Sequence, residues 1–306
     1  MELFFSAWQW IKNAIVPFSP KDSETWGQLG DWIGGTVGTV ITFASLIALY
    51  LTLQLSRAAM ARQSVYALFA TMSKTHDDLT ASFQMDDSKG ADVFKVLLRD
   101  FNVCLRATAK NYPTLDIRQT VDVAYSLFFY GSTISGREYL NGVYDPAKIK
   151  VALDEVSTKR NRLTQRYPGT KGFRLSGNQA RLSNYYRNLY GIYAFIDESR
   201  LPKREKRSIL KTIRTKMSNH EQALLALNIC SHLGAKWEHE KLVIRYEPIK
   251  NIPKNFLSLP DQSAIEDLFP EVNFEFEQRQ SQRPKLLSYE FFGMLTSIKF
   301  TRVSRG

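Results

Sequence analysis

The sequence contains little of what most catalytic and metal-binding sites require. It has two cysteines and four histidines in 306 residues, and it has neither a P-loop for phosphate nor the Gly-x-Ser-x-Gly turn of a serine hydrolase. Cys104 and Cys230 stand alone, outside any Cys-x-x-Cys pair. His220 and Glu221 begin like a zinc-protease motif, but Leu224 occupies the position of the second histidine. The sequence therefore predicts no cofactor and no metal, and its cysteines suit a reducing compartment.

The N-terminal residues do not have the pattern of a secretory signal. Glu2 precedes the apolar stretch where basic residues would be expected, and no small-x-small cleavage site follows. Residues 3–18 are apolar and rich in tryptophan, but they contain Lys12 and end at prolines. We expect residues 1–31 to form an interfacial segment, with its tryptophans at the depth of the lipid headgroups. A second, short membrane span over residues 3–18 is the alternative.

One long segment lacks charged residues altogether. Residues 32–53 (WIGGTVGTVITFASLIALYLTL) contain no Asp, Glu, Lys or Arg, and about 20 apolar helical residues cross a bilayer core of about 30 Å. We therefore predict a transmembrane helix over residues 32–54 and a helical stalk over residues 55–85, where helix-breaking residues are few. The alternative is a buried core helix, which is usually shorter and carries a polar stripe.

Positive charge lies almost entirely after the predicted span. The whole chain has a net charge of +11, whereas acidic side chains outnumber basic ones in residues 1–55. Positively charged segments next to membrane helices tend to stay on the cytoplasmic side. We therefore expect residues 86–306 to form a basic, α-helical, cytosolic domain.

Hydrophobic periodicity in this domain predicts helices and almost no strands. Apolar residues recur at steps of three and four, as they do along one face of a helix. Helices are predicted over residues 92–110, 120–129, 146–165, 182–196 and 209–217. A loop rich in glycine and proline at residues 168–177 separates the two halves of the domain. The predicted fold class is all-α or nearly so: an N-terminal transmembrane helix and a helical cytosolic domain.

One helix boundary is specified by local chemistry. Ser218 and Glu221 have the Ser-x-x-Glu spacing of a capping box, in which each side chain pairs with the other residue's backbone N–H. An apolar run follows, and Gly234 stands where a helix C-cap would fit.

Small residues form a row at the start of the predicted span. Gly30, Gly34 and Gly38 are spaced four apart, and Thr42 continues the row. Such a face lets two membrane helices approach closely, so we predict a homo-oligomer associated through these glycines. The alternative is that glycine is simply common in membrane helices.

Basic residues concentrate in two segments between residues 156 and 216, and tyrosines lie among those of the first segment. Such segments attract the phosphates of nucleic acids or of anionic lipid headgroups. A solvated positive face beside a membrane is the alternative. The residues predicted to bind an anionic partner are Arg160, Arg162, Arg166, Lys171, Arg174, Lys203, Arg204, Lys206 and Arg207.

Arg214 and His220, with five residues between them, resemble the Arg-x(4–6)-His motif of HEPN-type ribonucleases. That resemblance implies RNA cleavage by an arginine and a histidine paired across a dimer. The same spacing arises by chance in an arginine-rich segment. A membrane-tethered ribonuclease using Arg214 and His220 is therefore the alternative function.

Two stretches, residues 181–199 (RLSNYYRNLYGIYAFIDES) and 209–230 (ILKTIRTKMSNHEQALLALNIC), resemble the core of the phage abortive-infection (AbiC-like) family. The matching residues are Tyr186, Arg187, Leu189, Tyr190, Phe195, Ile196, Asp197, Arg214, Ser218, Asn219, Glu221, Leu224, Leu225 and Asn228. Two positions depart from the pattern: Met217 replaces the usual leucine, and His220 replaces an aromatic residue. The second departure weakens the ribonuclease alternative, because the histidine would not be a family feature. The glycine-containing span and the stalk are also similar to the family.

The resemblance implies antiphage defence by abortive infection, in which an activated effector stops the host cell. It implies a toxin at the bacterial inner membrane, with the bulk of the chain cytosolic and membrane lipid as one partner. Membrane effectors that resemble this chain occur beside retron reverse transcriptases. A reverse transcriptase–RNA/DNA complex, or another restraining partner that contains nucleic acid, is therefore an expected partner. A membrane-anchored interaction protein without toxicity is the third reading.

Overall fold

The structure is a computed structural model that describes Gly27 and residues 30–85, 87–166 and 177–276. The chain divides into two compact units, with the boundary between Ser64 and Val65. Most of the predicted interfacial segment and nearly all of the predicted loop at residues 168–177 lie outside the described residues.

The described part of the first unit is a single helical run. A π-helical turn, Ile33–Val37, leads into α1, Gly38–Ser82, which continues into the second unit. The run Gly30–Ser82 is the one helix among the described residues that is long and apolar enough to cross a membrane. The predicted N-terminal helix is therefore confirmed as a candidate membrane span.

Along this candidate span, hydroxyl side chains are hydrogen-bonded within the helix, whereas large apolar side chains are exposed. The Thr42 hydroxyl donates to the Gly38 carbonyl and the Ser45 hydroxyl donates to the Ile41 carbonyl, both at 2.8 Å. Hydroxyls that are paired within their own helix do not need water, so they are compatible with lipid. The large apolar side chains, such as Phe43, are exposed. An apolar surface this large must be covered by lipid or by another protein.

The described part of the second unit is mainly helical and has one small hairpin, in which β1 (Gln84–Met85) pairs antiparallel with β2 (Ser88–Lys89). Its helices after α1 are α2 Asp92–Asn111, α3 Ile117–Tyr130, α4 Ile134–Val143, α5 Pro146–Arg166, α6 Gln179–Glu198, α7 Lys203–Lys216, α8 Asn219–Cys230, α9 Lys236–His239, α10 Leu242–Tyr246 and α11 Ile265–Leu268. Two 3-10 turns occur at His232–Gly234 and Pro260–Gln262. The all-α prediction is confirmed, although α4 was not expected.

Helix α8 lies at the centre of the second unit. Every residue from Glu221 to Ile229 is buried, as expected for a helix that is surrounded by protein on all sides. It packs against α2 and α3, and α2 packs in turn against α5. The predicted capping box at its start is confirmed. The Glu221 backbone N–H donates to the Ser218 hydroxyl at 3.2 Å, and the Ser218 backbone N–H donates to the Glu221 carboxylate at 2.7 Å.

The prediction for Gly234 is wrong. Helix α8 ends at Cys230 with Ser231 as its C-cap, and Gly234 belongs to the following 3-10 turn. A Cβ atom at Gly234 would lie 2.2 Å from the Asn228 carbonyl oxygen. Glycine is needed here because the turn packs directly on the backbone of the last turn of α8.

Replacing Ser218 by alanine should weaken the second unit, because two backbone N–H groups at the start of α8 depend on the capping box. We expect Ser218→Ala to reduce the free energy of unfolding by about 0.5–2 kcal/mol. Thermal or urea unfolding of the purified chain measures this change. Ser208→Ala, at an exposed position of α7, is the matched control and should have little effect. A loss of activity in Ser218→Ala without a change in stability would instead indicate a functional surface.

Candidate functional site

The C-terminal part of α1 packs against the core of the second unit through apolar side chains, and polar contacts hold it against α7. The Lys216 ammonium donates to Asp77 Oδ2 at 2.8 Å and to the Ser73 hydroxyl at 3.0 Å. The Tyr66 hydroxyl donates to the Glu205 carboxylate. We call these five residues the stalk clamp. All five belong to the second unit, and two of them lie on α7.

His76 and Tyr185 form a buried pair of polar rings next to the stalk clamp. The His76 ring is buried, with its centroid 4.7 Å from that of Tyr185. The Tyr185 hydroxyl donates to Glu221 Oε1 at 3.2 Å, so α1 touches the capping box of α8 through one intermediate side chain. Burial lowers the pKa of His76 to about 4 and raises the pKa of Glu221. His76 is therefore neutral at neutral pH. Between about pH 6.5 and 4, His76 binds a proton more readily in the unfolded chain than in the folded chain. The free energy of unfolding therefore decreases as the pH falls through that window.

The contact between α1 and the other helices is partly open to solvent. A cleft of about 340 Å³ lies between them, lined in part by His76, Thr80, Lys216 and Glu221. The ion pair of Lys216 with Asp77 is also partly exposed. Water therefore reaches the polar part of this contact and weakens its ion pair.

Asp197, from the predicted family motif, fastens the end of α6 to its neighbours. Its carboxylate accepts hydrogen bonds from Arg245 at 2.5 Å and from the Tyr246 hydroxyl at 2.6 Å, both on α10. Its backbone carbonyl accepts one from the Lys206 ammonium at 2.6 Å. Asp197 therefore has a structural role in joining α6, α7 and α10. Lys206, predicted to bind an anionic partner, is already engaged in this junction.

Four other motif residues, Tyr186, Arg187, Tyr190 and Asn228, line one pocket of about 290 Å³, which we call the aromatic pocket. Its remaining lining residues are Phe129, Ser183, Leu233, Gly234, Lys236 and Trp237. The rings of Phe129, Tyr186 and Trp237 are buried, whereas Arg187 and Lys236 are exposed at the rim.

The two cations of the aromatic pocket are not neutralised by carboxylates. Arg187 is held by the Ser183 hydroxyl at 3.2 Å and the Asn184 side-chain oxygen at 3.1 Å. Among the described residues, neither Arg187 nor Lys236 forms an ion pair. Asn228 is buried, and its amide nitrogen donates to the Tyr125 hydroxyl at 3.2 Å. The pocket therefore combines aromatic walls, one amide and unpaired positive charge.

The two residues of the ribonuclease alternative face different surroundings. Arg214 is buried and donates to the Glu247 backbone carbonyl at 3.1 Å. The His220 ring packs against Phe256 with 5.0 Å between ring centroids, and burial lowers its pKa. Within the described part of the chain, these two side chains share no hydrogen bond. RNA cleavage by them stays a prediction.

The other predicted site residues are scattered. Lys203, Arg204 and Arg207 lie exposed in the first turns of α7. The remaining basic residues lie either on the last turns of α5 (Arg160, Arg162 and Arg166) or outside the described residues (Lys171 and Arg174). Gly30, Gly34 and Gly38 lie in the first unit, where a Cβ atom on any of them would meet no described atom within 4 Å. Binding to an anionic partner and helix association stay predictions.

A further cluster of polar residues, around Asp122 and His232, could not be predicted from the sequence. His232 Nδ1 lies 2.8 Å from Asp122 Oδ1, and its Nε2 lies 2.7 Å from the Tyr139 hydroxyl. Asp122 also accepts from the Tyr144 hydroxyl at 3.0 Å, and hydrogen bonds from His232 lower the pKa of Asp122 against the opposing effect of burial. This network ties α3 to α4 and to the turn after α8. Asp122 and His232 are far apart in sequence, so no local pattern indicates the pair.

The described residues form a helical protein with one candidate membrane span and a core around the buried helix α8. Residues 177–257 match the family described as "Putative phage abortive infection protein". This match covers α6 to α10 and confirms the resemblance to the AbiC-like family in that region. No curated protein and no solved structure gave a significant match.

Proposed function

We propose that the chain is a membrane-anchored effector of abortive infection, which damages the bacterial inner membrane when α1 is released from the stalk clamp. One observation carries this proposal. The region similar to abortive-infection proteins contains Glu205, Lys216 and Tyr185, and these residues contact the same helix that carries the candidate span. A change in the family region would therefore act directly on the membrane helix.

The energetics of the stalk clamp suit a switch. Partly exposed ion pairs contribute only about 0–1 kcal/mol, and the cleft beside Lys216 opens this part of the contact to solvent. A partner that binds the held and released states with different affinities shifts such an equilibrium by that difference. A few kcal/mol of differential binding is sufficient to reverse the populations.

Helix α7 offers a route from partner to clamp. Its first turns expose Lys203, Arg204 and Arg207, and its last residue is Lys216. A restraining partner that contains nucleic acid, such as a reverse transcriptase–RNA/DNA complex, would bind the first turns through its phosphates. Lys216, at the end of the same helix, would then hold Asp77 through their ion pair. In this proposal, loss of the partner frees α1, and freed chains associate through Gly30, Gly34 and Gly38.

Breaking the stalk clamp should make the protein toxic without phage. We expect Lys216→Gln or Asp77→Asn to collapse membrane potential on induction, because each removes the ion pair between α7 and α1. The double exchange Lys216→Asp with Asp77→Lys should restore the attraction and reduce toxicity. The measurements are growth, a membrane-potential dye and total RNA integrity after induction, at matched protein levels and in a strain that supplies the restraining partner.

Lys211→Gln is the matched control, because Lys211 is exposed on the same helix and has no ion pair among the described residues. Its substitution should leave the protein as harmless as the unmutated chain. The proposal is wrong if the single clamp variants are no more toxic than this control. Toxicity accompanied by RNA fragmentation and normal membrane potential would favour the ribonuclease instead.

A further inference from the structure

We infer that the aromatic pocket binds a nucleoside phosphate, with the base against its rings and the phosphate at its rim. This inference goes beyond the proposed function, because it assigns a ligand to a site that the membrane mechanism does not use. It does not depend on toxicity.

The floor of the pocket is suited to a planar ring. Trp237, Tyr186 and Phe129 are buried there, and the Tyr190 ring stands edge-on to Trp237 with 5.7 Å between centroids. Aromatic side chains bind nucleobases by stacking, which tolerates any base because every base has a π-face.

One buried polar group reaches this floor. Asn228 is 4% exposed and lines the pocket. Its amide nitrogen is oriented by the Tyr125 hydroxyl, and its side-chain oxygen accepts no hydrogen bond from the described residues. This oxygen is therefore open to a donor from a ligand in the pocket, and the exocyclic amine of a base is such a donor.

The rim is suited to phosphate. Arg187 and Lys236 lie on opposite elements, α6 and α9, and both are free of carboxylate partners within the described chain. Ser183 and Asn184 hold the Arg187 side chain in place, so less conformational entropy is lost when it binds. Arginine is the side chain best matched to phosphate oxygens.

The size of the pocket limits the ligand. About 290 Å³ lies just below the range of about 300–1,000 Å³ for small-molecule sites. One nucleotide unit suits this space. It would be either a free nucleotide or one unit of a single strand.

Equilibrium binding to the full chain in detergent tests the inference, with fluorescently labelled AMP as the probe. Unlabelled AMP, inorganic phosphate, adenosine and a short single-stranded oligonucleotide serve as competitors. We expect saturable binding that Arg187→Gln and Lys236→Gln each weaken about tenfold or more, which corresponds to about 1.4 kcal/mol. Lys211→Gln removes the same charge outside the pocket and should leave affinity unchanged. Thermal unfolding of each variant should match that of the unmutated chain.

Strong competition by AMP and weak competition by both phosphate and adenosine would support recognition of the two parts together. Competition by the oligonucleotide at much lower concentration would identify a strand as the source, and the pocket would keep its assignment. Absence of saturable binding would overturn the inference. Equal weakening by Lys211→Gln, or phosphate competing as well as AMP, would also overturn it. None of these results depends on whether clamp variants are toxic.

Discussion

A chain carrying both Gly34→Leu and Gly38→Leu is expected to lose protection against phage while it remains in the membrane. Leucine favours insertion, so the protein should reach normal levels there. Its bulk, however, would separate the helices that touch along the glycine face in the proposed assembly. The measurements are phage plaque counts and a membrane-potential dye at matched membrane levels of protein.

The local environment of these glycines makes the test specific. A Cβ atom at either position would meet nothing in the described chain within 4 Å, so packing within one chain does not require glycine there. Glycine in a helix costs about 0.8–1 kcal/mol relative to alanine. No contact within the chain offsets this loss of helix stability. Packing of a second copy against the glycine face would offset it.

Two controls separate the possible mechanisms. Thr36→Leu adds bulk to the same exposed helix about half a turn from both Gly34 and Gly38, on the opposite side, and it should preserve protection. His220→Ala should also preserve protection, because the membrane mechanism does not use that histidine. A general acid–base histidine contributes about 10²–10⁴-fold to a reaction rate, so a ribonuclease would lose nearly all activity. Loss of protection only in His220→Ala, with RNA cleaved by the unmutated protein, would contradict the membrane mechanism.

Features that depend on neighbouring residues could be predicted from the sequence. The capping box at Ser218 forms between residues three apart, so the sequence contains both partners. The candidate span could be predicted because its signal is the absence of charge over residues 32–53. The π-helical turn Ile33–Val37 could not be predicted, because the pattern of small and apolar residues there is the same for a regular helix. This turn alters the register between Gly30 and Gly38.

Features that depend on tertiary contacts needed the structure. The motif singled out Tyr186, Arg187 and Asn228, but the aromatic pocket also requires Lys236 and Trp237. These two residues follow the turn at Gly234, where the sequence suggested only a helix end. The stalk clamp joins Asp77 to Lys216 across a large separation in sequence, and periodicity cannot indicate such a pair. Arg214 belonged to a basic segment, yet it is buried against Glu247.

A single arginine at Ala44 is expected to move much of the protein from the membrane fraction to the soluble or aggregated fraction. Ala44 lies within the charge-free run and is exposed. An arginine near the bilayer centre costs about 2.5–3.5 kcal/mol on insertion scales, which is about a hundredfold in an insertion equilibrium. Ultracentrifugation of lysates followed by carbonate extraction measures the change.

The matched control is Ala59→Arg, on the same helix α1 but beyond the charge-free run and already next to Arg57. Both variants add one arginine to an exposed helical position, so their effects on charge and helix propensity are equal. Only the position relative to the bilayer differs. We expect Ala59→Arg to remain in the membrane as completely as the unmutated chain. If Ala44→Arg also remains there completely, residues 32–54 are not the anchor, and the apolar stretch at residues 3–18 becomes the segment to test by the same substitution.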